Sequence, residues 1–195
     1  MNQKTRQIAC VLAATLSLAA CTDPGRLTSS TPATQPPTTG AAIPGGDSSF
    51  QKQEADLRRS IGSSGYAISN TVDRLIVRIP QDALFASGSA VPLGSAQGDI
   101  AAISGSLNRF PASTVQVLAH TDSDGEAAAN LSLSEQQATQ VRDLMIRSGV
   151  AGERILASGR GENQPLTSNL TDEGKMQNRR IEIVILPAAV TSGIS

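Results

Sequence analysis

Residues 115–141 read VQVLAHTDSDGEAAANLSLSEQQATQV. The apolar, β-rich run Val115 to Ala119 is strand material, and it delivers His120, Thr121 and Asp122 to the end of the strand. A loop containing Gly125 follows. A helix then starts with Ser134 as its cap and Gln137 in its first turn, and it runs to Ser148. Ala138, Val141, Leu144, Met145 and Ser148 line one face of it, and Gly149 supplies the stop. A strand end facing a helix N-terminus makes a pocket for a small charged ligand. Gln137 carries two readings. Ser134-Glu135-Gln136-Gln137 is a capping box, with the Gln side chain reaching back to the Ser134 N–H. Alternatively, the amide of Gln137 is a neutral ligand contact able to donate to a carboxylate.

Upstream, residues 95–109 form an amphipathic helix, with Ile100, Ile103, Leu107 and Phe110 at helical spacing and Pro111 ending it. Leu84 and Phe85 form a short apolar patch before the small-residue loop at Ala86. Tyr66 to Pro80 is strand material broken by a turn at Asn70 to Asp73, with Leu75 to Ile79 as a core strand. Phe50, Leu57 and Ile61 share one face of a short helix. Downstream, Arg154 to Ala157 is a brief strand, a long polar loop runs from Gly159 to Lys175, and Asn178 to Leu186 is the last strand. Strands alternating with helices predict an α+β fold, a βαβαβ mixed sheet with helices packed on one face.

The N-terminal end has another character. Lys4 and Arg6 precede an apolar run from Ile8 to Ala20 that is too short for a spanning helix, the pattern of an export signal over residues 1–20. Leu18-Ala19-Ala20-Cys21 resembles a bacterial lipobox, which implies that Cys21 is lipidated and becomes the new N-terminus. Several acyl chains anchor stably where one would not. Thr22 after the Cys, in place of Asp, points to the outer membrane, while Asp23 is one place later. Residues 21–48, rich in Pro, Thr, Ser, Gly and Ala, cannot bury enough surface to order themselves and serve as a tether. Fully extended, that tether reaches on the order of 90 Å, and as a coil about 30 Å. Residues 49–65 are then a helical connector, 66–188 the folded domain and 189–195 a tail.

Composition excludes several functions. The formal net charge is −1, which gives no electrostatic support for nucleic-acid binding. Aromatic residues make up 2% and Trp is absent, so no stacking platform is expected. Cys10 and Cys21 both lie outside the folded part, so no disulfide or thiol chemistry is expected there. His120 is the single histidine. It invites a Ser-His-Asp reading beside Asp122, but no nucleophile elbow is present, so no enzyme activity is predicted. A lone His without a second nitrogen or sulfur ligand argues against zinc. Asp122, Asp124 and Glu126 lack the spacing of a calcium loop, so neither metal nor cofactor is expected.

A set of residues in order carries a resemblance: His120-Thr121-Asp122, Gly125, Asn130, Leu133-Ser134, Ala138, Val141, Gly149-Val150, Arg154-Ile155, Gly159 to Glu162, Pro165, Gly174 and Asn178 to Ile183. Together they resemble the OmpA-like C-terminal domain, which binds peptidoglycan non-covalently, over about Leu75 to Leu186. With the lipobox and tether, the layout is similar to that of Pal-type lipoproteins. The resemblance implies a ligand, the diaminopimelate side chain of the stem peptide, whose ammonium is received by Asp122. Thr121 and Asn130 add hydrogen bonds, and Arg180 lines the site. It also implies that an Arg in the first turn of the helix meets the carboxylate. That position is Gln137 here, and the family's Phe-Asp is Phe85-Ala86. A lost charge-assisted hydrogen bond is worth roughly 1.5–3 kcal/mol, or about one to two decades of affinity.

The expectation is therefore an outer-membrane lipoprotein, its domain in the periplasm, that binds peptidoglycan and links envelope to cell wall. The alternative keeps the fold, weakens cell-wall affinity through Gln137, and gives the domain a role with envelope proteins.

Overall fold

The computed structural model describes residues 48–71 and 73–187. The expected signal, Cys21 and the tether lie outside these residues. The elements in order are α1 (Ser48–Ile61), β1 (Ala67–Thr71), β2 (Arg74–Pro80), the single turn α2 (Gln81–Leu84), α3 (Ala96–Arg109), β3 (Thr114–His120), α4 (Ala127–Arg147), β4 (Ile155–Gly161), α5 (Asp172–Asn178) and β5 (Arg180–Leu186). The five strands form one mixed sheet in the order β1-β2-β5-β3-β4. β3 and β4 are parallel and joined through α4, while β5 lies antiparallel between β2 and β3. The α+β mixed sheet expected from the alternation of strands and helices is what the chain forms.

Period-two patterning explains the core. Leu75, Val77 and Ile79 of β2, Val115, Val117 and Ala119 of β3, and Ile181, Ile183 and Ile185 of β5 are buried. They form one cluster with Leu57 and Ile61 of α1, Ile100, Ile103 and Leu107 of α3, and Ala138, Val141 and Met145 of α4. Each Val, Leu, Ile or Met among them contributes roughly 1.5–3 kcal/mol by leaving water. The segment read as a helical connector therefore contributes side chains to this core. It is also tied to its neighbours by polar contacts. Gln53 Nε2 donates to Ser113 Oγ at 3.1 Å, and Arg109 pairs with Asp56 at 2.6 Å.

The structure corrects the start of α4. The helix begins at Ala127, not at Ser134, and Glu126 stands at its N-cap without a side-chain cap bond. Ala127, Ala128 and Ala129 are the best helix formers. The buried face of α4 runs Asn130, Ser134, Gln137, Ala138, Val141 and beyond. Its first half is polar, so the apolar periodicity starts late and places the helix start late. Ser134 is mid-helix and fully buried. Its Oγ donates to Leu131 O at 2.8 Å and accepts from Gly161 N at 2.9 Å. It clasps the helix to β4 rather than capping it. Gly159 permits that approach, because a Cβ there would stand 2.3 Å from Glu135 N.

Two further boundaries differ. β4 runs through to Gly161, longer than the brief strand expected. The polar loop after it closes with α5, whose N-cap Thr171 accepts from Gly174 N at 3.1 Å.

Candidate functional site

β3 lies between β5 and β4, and its C-terminal end leads directly into Thr121 and Asp122. Thr121 N donates to Gly161 O at 3.0 Å, which ties the end of β3 to the end of β4. Asp122 follows and folds the chain back on itself, its Oδ1 accepting from Asp124 N at 3.1 Å. Gly125, at φ 88°, completes the turn in a conformation that side-chain-bearing residues rarely adopt. α4 then begins, and Asn130 returns from its first turn. Its Nδ2 group is shared among Asp122 O at 3.3 Å, Asp124 O at 3.0 Å and Glu162 Oε2 at 2.8 Å. Thr121, Asp122 and Asn130 are thus brought together, all buried. Asn130 fixes the loop backbone that presents Asp122.

The opposite wall comes from the segment 162–180. Asn178 is fully buried. Its Oδ1 accepts from Leu166 N and Thr167 N at 2.8 and 3.1 Å, and its Nδ2 donates to Thr167 O and Asn169 Oδ1. Asn169 Oδ1 in turn accepts from Ser123 N at 3.3 Å. The two walls are joined by ion pairs. Arg179 Nη1 meets Asp122 Oδ2 at 2.5 Å, and Lys175 Nζ meets Asp124 Oδ1 at 2.7 Å. The carboxylate of Asp124 beside it holds the Lys175 ammonium above its ordinary range. Acids predominate on these loops: Asp122, Asp124, Glu126 and Glu162 stand against Lys175 and Arg179.

Two sequence-predicted residues stand elsewhere. Gln137 is not in the first turn of α4, so it makes no capping box. It lies about 10 Å farther along the helix than Asn130 by the rise per residue. It is completely buried, and its Nε2 donates to Ser89 O at 2.7 Å. It pins the loop between Phe85 and α3, whose ends are already linked by Leu93 N to Leu84 O at 2.8 Å. Arg180 has 7% of its side chain exposed and pairs with Glu182 at 2.9 Å. It also donates to Asn178 O at 3.3 Å and Gln164 O at 3.1 Å. Burial pushes the Glu182 carboxyl up, but the Arg180 and Arg78 guanidinium groups outweigh it and hold that carboxyl below its usual range.

The arginine at Asp122 is Arg179, which lies inside the segment read from sequence as the last strand, Asn178 to Leu186. The strand begins one residue later, at Arg180. Arg179 is the C-cap of α5, with φ −71° and ψ 86°, and that irregular position frees it from the strand's alternation. Asn169, Lys175 and Glu162 carried no role in the sequence reading. Their signal was only polarity in a loop. Asn178 was legible as part of a motif but not as the organiser of that loop.

His120 is enclosed, with neither ring nitrogen hydrogen-bonded. Asp122, engaged by Arg179 and Asp124, does not orient it. What remains is a buried carboxylate at a strand end, with an adjacent guanidinium, on a loop framework held by amide side chains. Such an arrangement can bind a small group carrying an ammonium.

Comparison with known proteins places these features. The model of the OmpA family matches residues 84–179. The Escherichia coli K12 protein named "Probable lipoprotein YiaD" is 36% identical over 135 residues, covering 69% of this chain and 62% of that protein. The peptidoglycan-binding protein ArfA of Mycobacterium tuberculosis H37Rv is 40% identical over 79 residues, 40% of this chain and 24% of its own. The chain thus spans about three fifths of the first relative and a quarter of the second. Among solved structures, the cell wall anchor of the T6SS from Pseudomonas aeruginosa is 33% identical. The match covers 67% of this chain and 96% of that one, with a TM-score of 0.61.

Proposed function

The chain belongs to the OmpA family, and from that premise we propose that its folded domain binds peptidoglycan non-covalently, receiving the ammonium of a diaminopimelate side chain on Asp122. The observation that carries the reading is Asp122 itself. Its carboxylate is presented at the strand end, with 9% of the side chain exposed, by a loop that Asn130 and Asn169 hold. A preorganised carboxylate meets an ammonium without the cost of ordering the loop on binding. The excess of acids around it draws a cationic group towards the site. The peptidoglycan-binding relative ArfA and the cell wall anchor support the same ligand class. The reading is of a binding domain without a catalytic step.

The rest of the chain extends the proposal. Cys21, lipidated, holds the protein at the outer membrane, residues 22–48 span the gap, and the domain works in the periplasm. The similarity to a protein named as a lipoprotein supports this.

Co-sedimentation with purified sacculi tests the binding. The wild-type protein pellets with sacculi, and Asp122→Ala shifts it to the supernatant. A wild-type protein that stays in the supernatant, or a variant that pellets as well as wild type, removes the reading.

One observation favours a second reading. Gln137 is buried against Ser89, not open to a ligand, so the family's usual cation is missing. A domain with weakened cell-wall affinity would then serve mainly as a protein-interaction part of an envelope assembly. It requires that wild-type and Asp122→Ala proteins partition alike.

A further inference from the structure

A cleft of about 460 Å³ opens where the start of β1 and the end of β2 meet the segment 166–177. We propose that this cleft binds a small monoanion with an apolar body, a fatty carboxylate in kind, and that Arg78 meets its head group. The site is separate from Asp122 and does not depend on the reading of that residue.

Charge selects the head group. Arg78 Nε and Arg180 Nε both donate to Glu182 Oε1, at 3.2 and 2.9 Å. One carboxylate thus serves two guanidinium groups and leaves one positive charge in excess. The side chains of Arg180 and Glu182 are only 7% and 11% exposed, and a charge held away from water calls for a counter-ion. Arg180 cannot turn to a ligand, because it also donates to Asn178 O and Gln164 O. Arg78 can. Its side chain is 34% exposed and lines the cleft. Its Nη1 donates to Ser69 Oγ at 3.2 Å, and among the described residues its Nη2 has no partner. These free N–H groups suit a carboxylate. Arg179 reaches the cleft as well, but its guanidinium is engaged by Asp122. Asp82, the acid of the lining, is exposed and forms no ion pair among the described residues. Water and salt therefore screen its repulsion.

The walls select the body. Ala67, Pro80, Leu166 and Met176 line the same cleft. Leu166 is 50% and Met176 56% exposed. Single exposed apolar side chains are ordinary, but these four come from separate segments and converge beside a cation, which is the composition of a small-molecule site. The volume lies within the usual range of such sites, roughly 300–1,000 Å³. Sheet register fixes head and body side by side. Ala67 stands opposite Arg78, and Pro80, two residues along β2 on the same face, stands opposite Arg180.

The probe is decanoate, with acetate supplying the head group alone and decanol the body alone. The protein carries Cys21→Ser, so that no acyl chain of its own competes. Calorimetric titration is expected to show saturable binding of decanoate, with both controls weaker by about tenfold or more. Arg78→Ala is expected to lower decanoate affinity to the level of decanol, and Arg78→Lys to keep part of the difference. Met176→Glu changes an exposed side chain away from the Glu182 cluster, and it is expected to weaken decanoate by about tenfold or more. Thermal unfolding that matches wild type shows that a variant is folded. Decanoate that binds no better than decanol or acetate overturns the proposal. So does an undiminished decanoate affinity in Met176→Glu or in folded Arg78→Ala.

Discussion

His120 ends β3 inside the molecule, with both ring nitrogens unpartnered. Burial, and next the neighbouring Arg180 guanidinium with a smaller push from Arg160, lowers its pKa from 6.5 to about 4, against an opposing pull from Glu182. In the unfolded chain the ring titrates near 6.5. Between the two values the unfolded state binds more protons, so this contribution to stability is complete above about 6.5 and is lost as pH falls towards 4. Its upper bound is on the order of 3 kcal/mol. His120→Phe removes the titration and two unpaired polar atoms while keeping a ring of similar size. Urea unfolding at pH 7 and pH 4.5 should show a smaller acid loss in the variant, with stability at pH 7 equal or higher. An identical pH slope would contradict this account of His120. At the same scale, Asp122 and Asn130 were legible from their motif because both lie in a short, turn-rich segment. Arg179 was not. Adjacent arginines are separated only by the start of β5, and a one-residue shift in a strand exchanges its faces.

α4 shows where sequence periodicity misplaces a helix. Its buried stripe changes from Asn130, Ser134 and Gln137 to Ala138, Val141, Leu144 and Met145. A search for apolar repeats detects only the second half. The polar half is buried because each side chain has a backbone partner: the loop for Asn130, β4 for Ser134, and Ser89 for Gln137. The capping signature at Ser134 coincided with a residue needed for contact with β4. Gly159, opposite it, cannot accept a side chain without moving α4, because a Cβ there would meet the Glu135 backbone N and Cα as well as Ser134 Oγ. Gly159→Ala should destabilise the domain by roughly 1–3 kcal/mol through overpacking, read as a lower urea midpoint with an unchanged slope. A midpoint equal to wild type would mean that α4 and β4 are not packed as described. The sheet itself was more legible, since the apolar, β-rich runs of β2 and β3 mark them as core strands, and burial alternates along each.

For the described part of the molecule, the core extends beyond the segment read from sequence as the domain. Phe50, Leu57 and Ile61 of α1 belong to the same cluster as the sheet. Their helical spacing was visible, but sequence gave no way to say what the helix packs against, because its partner α3 lies far along the chain. Leu57 is completely buried, so Leu57→Ala should cost about 2–5 kcal/mol, measured by urea unfolding. A loss below 1 kcal/mol would make α1 an attached connector instead. The hydrophobic framework holds β3, α4 and α5 in register, and that register places Asp122 beside Arg179. The central claim is that this placement receives an ammonium. Its most direct measurement is the titration of the protein with the stem tripeptide ending in meso-diaminopimelate, and with the same peptide acetylated on the side-chain amine. The account predicts that acetylation lowers affinity by about tenfold or more and that Asp122→Ala erases the difference. Equal affinity for the two peptides in the wild-type protein would contradict it.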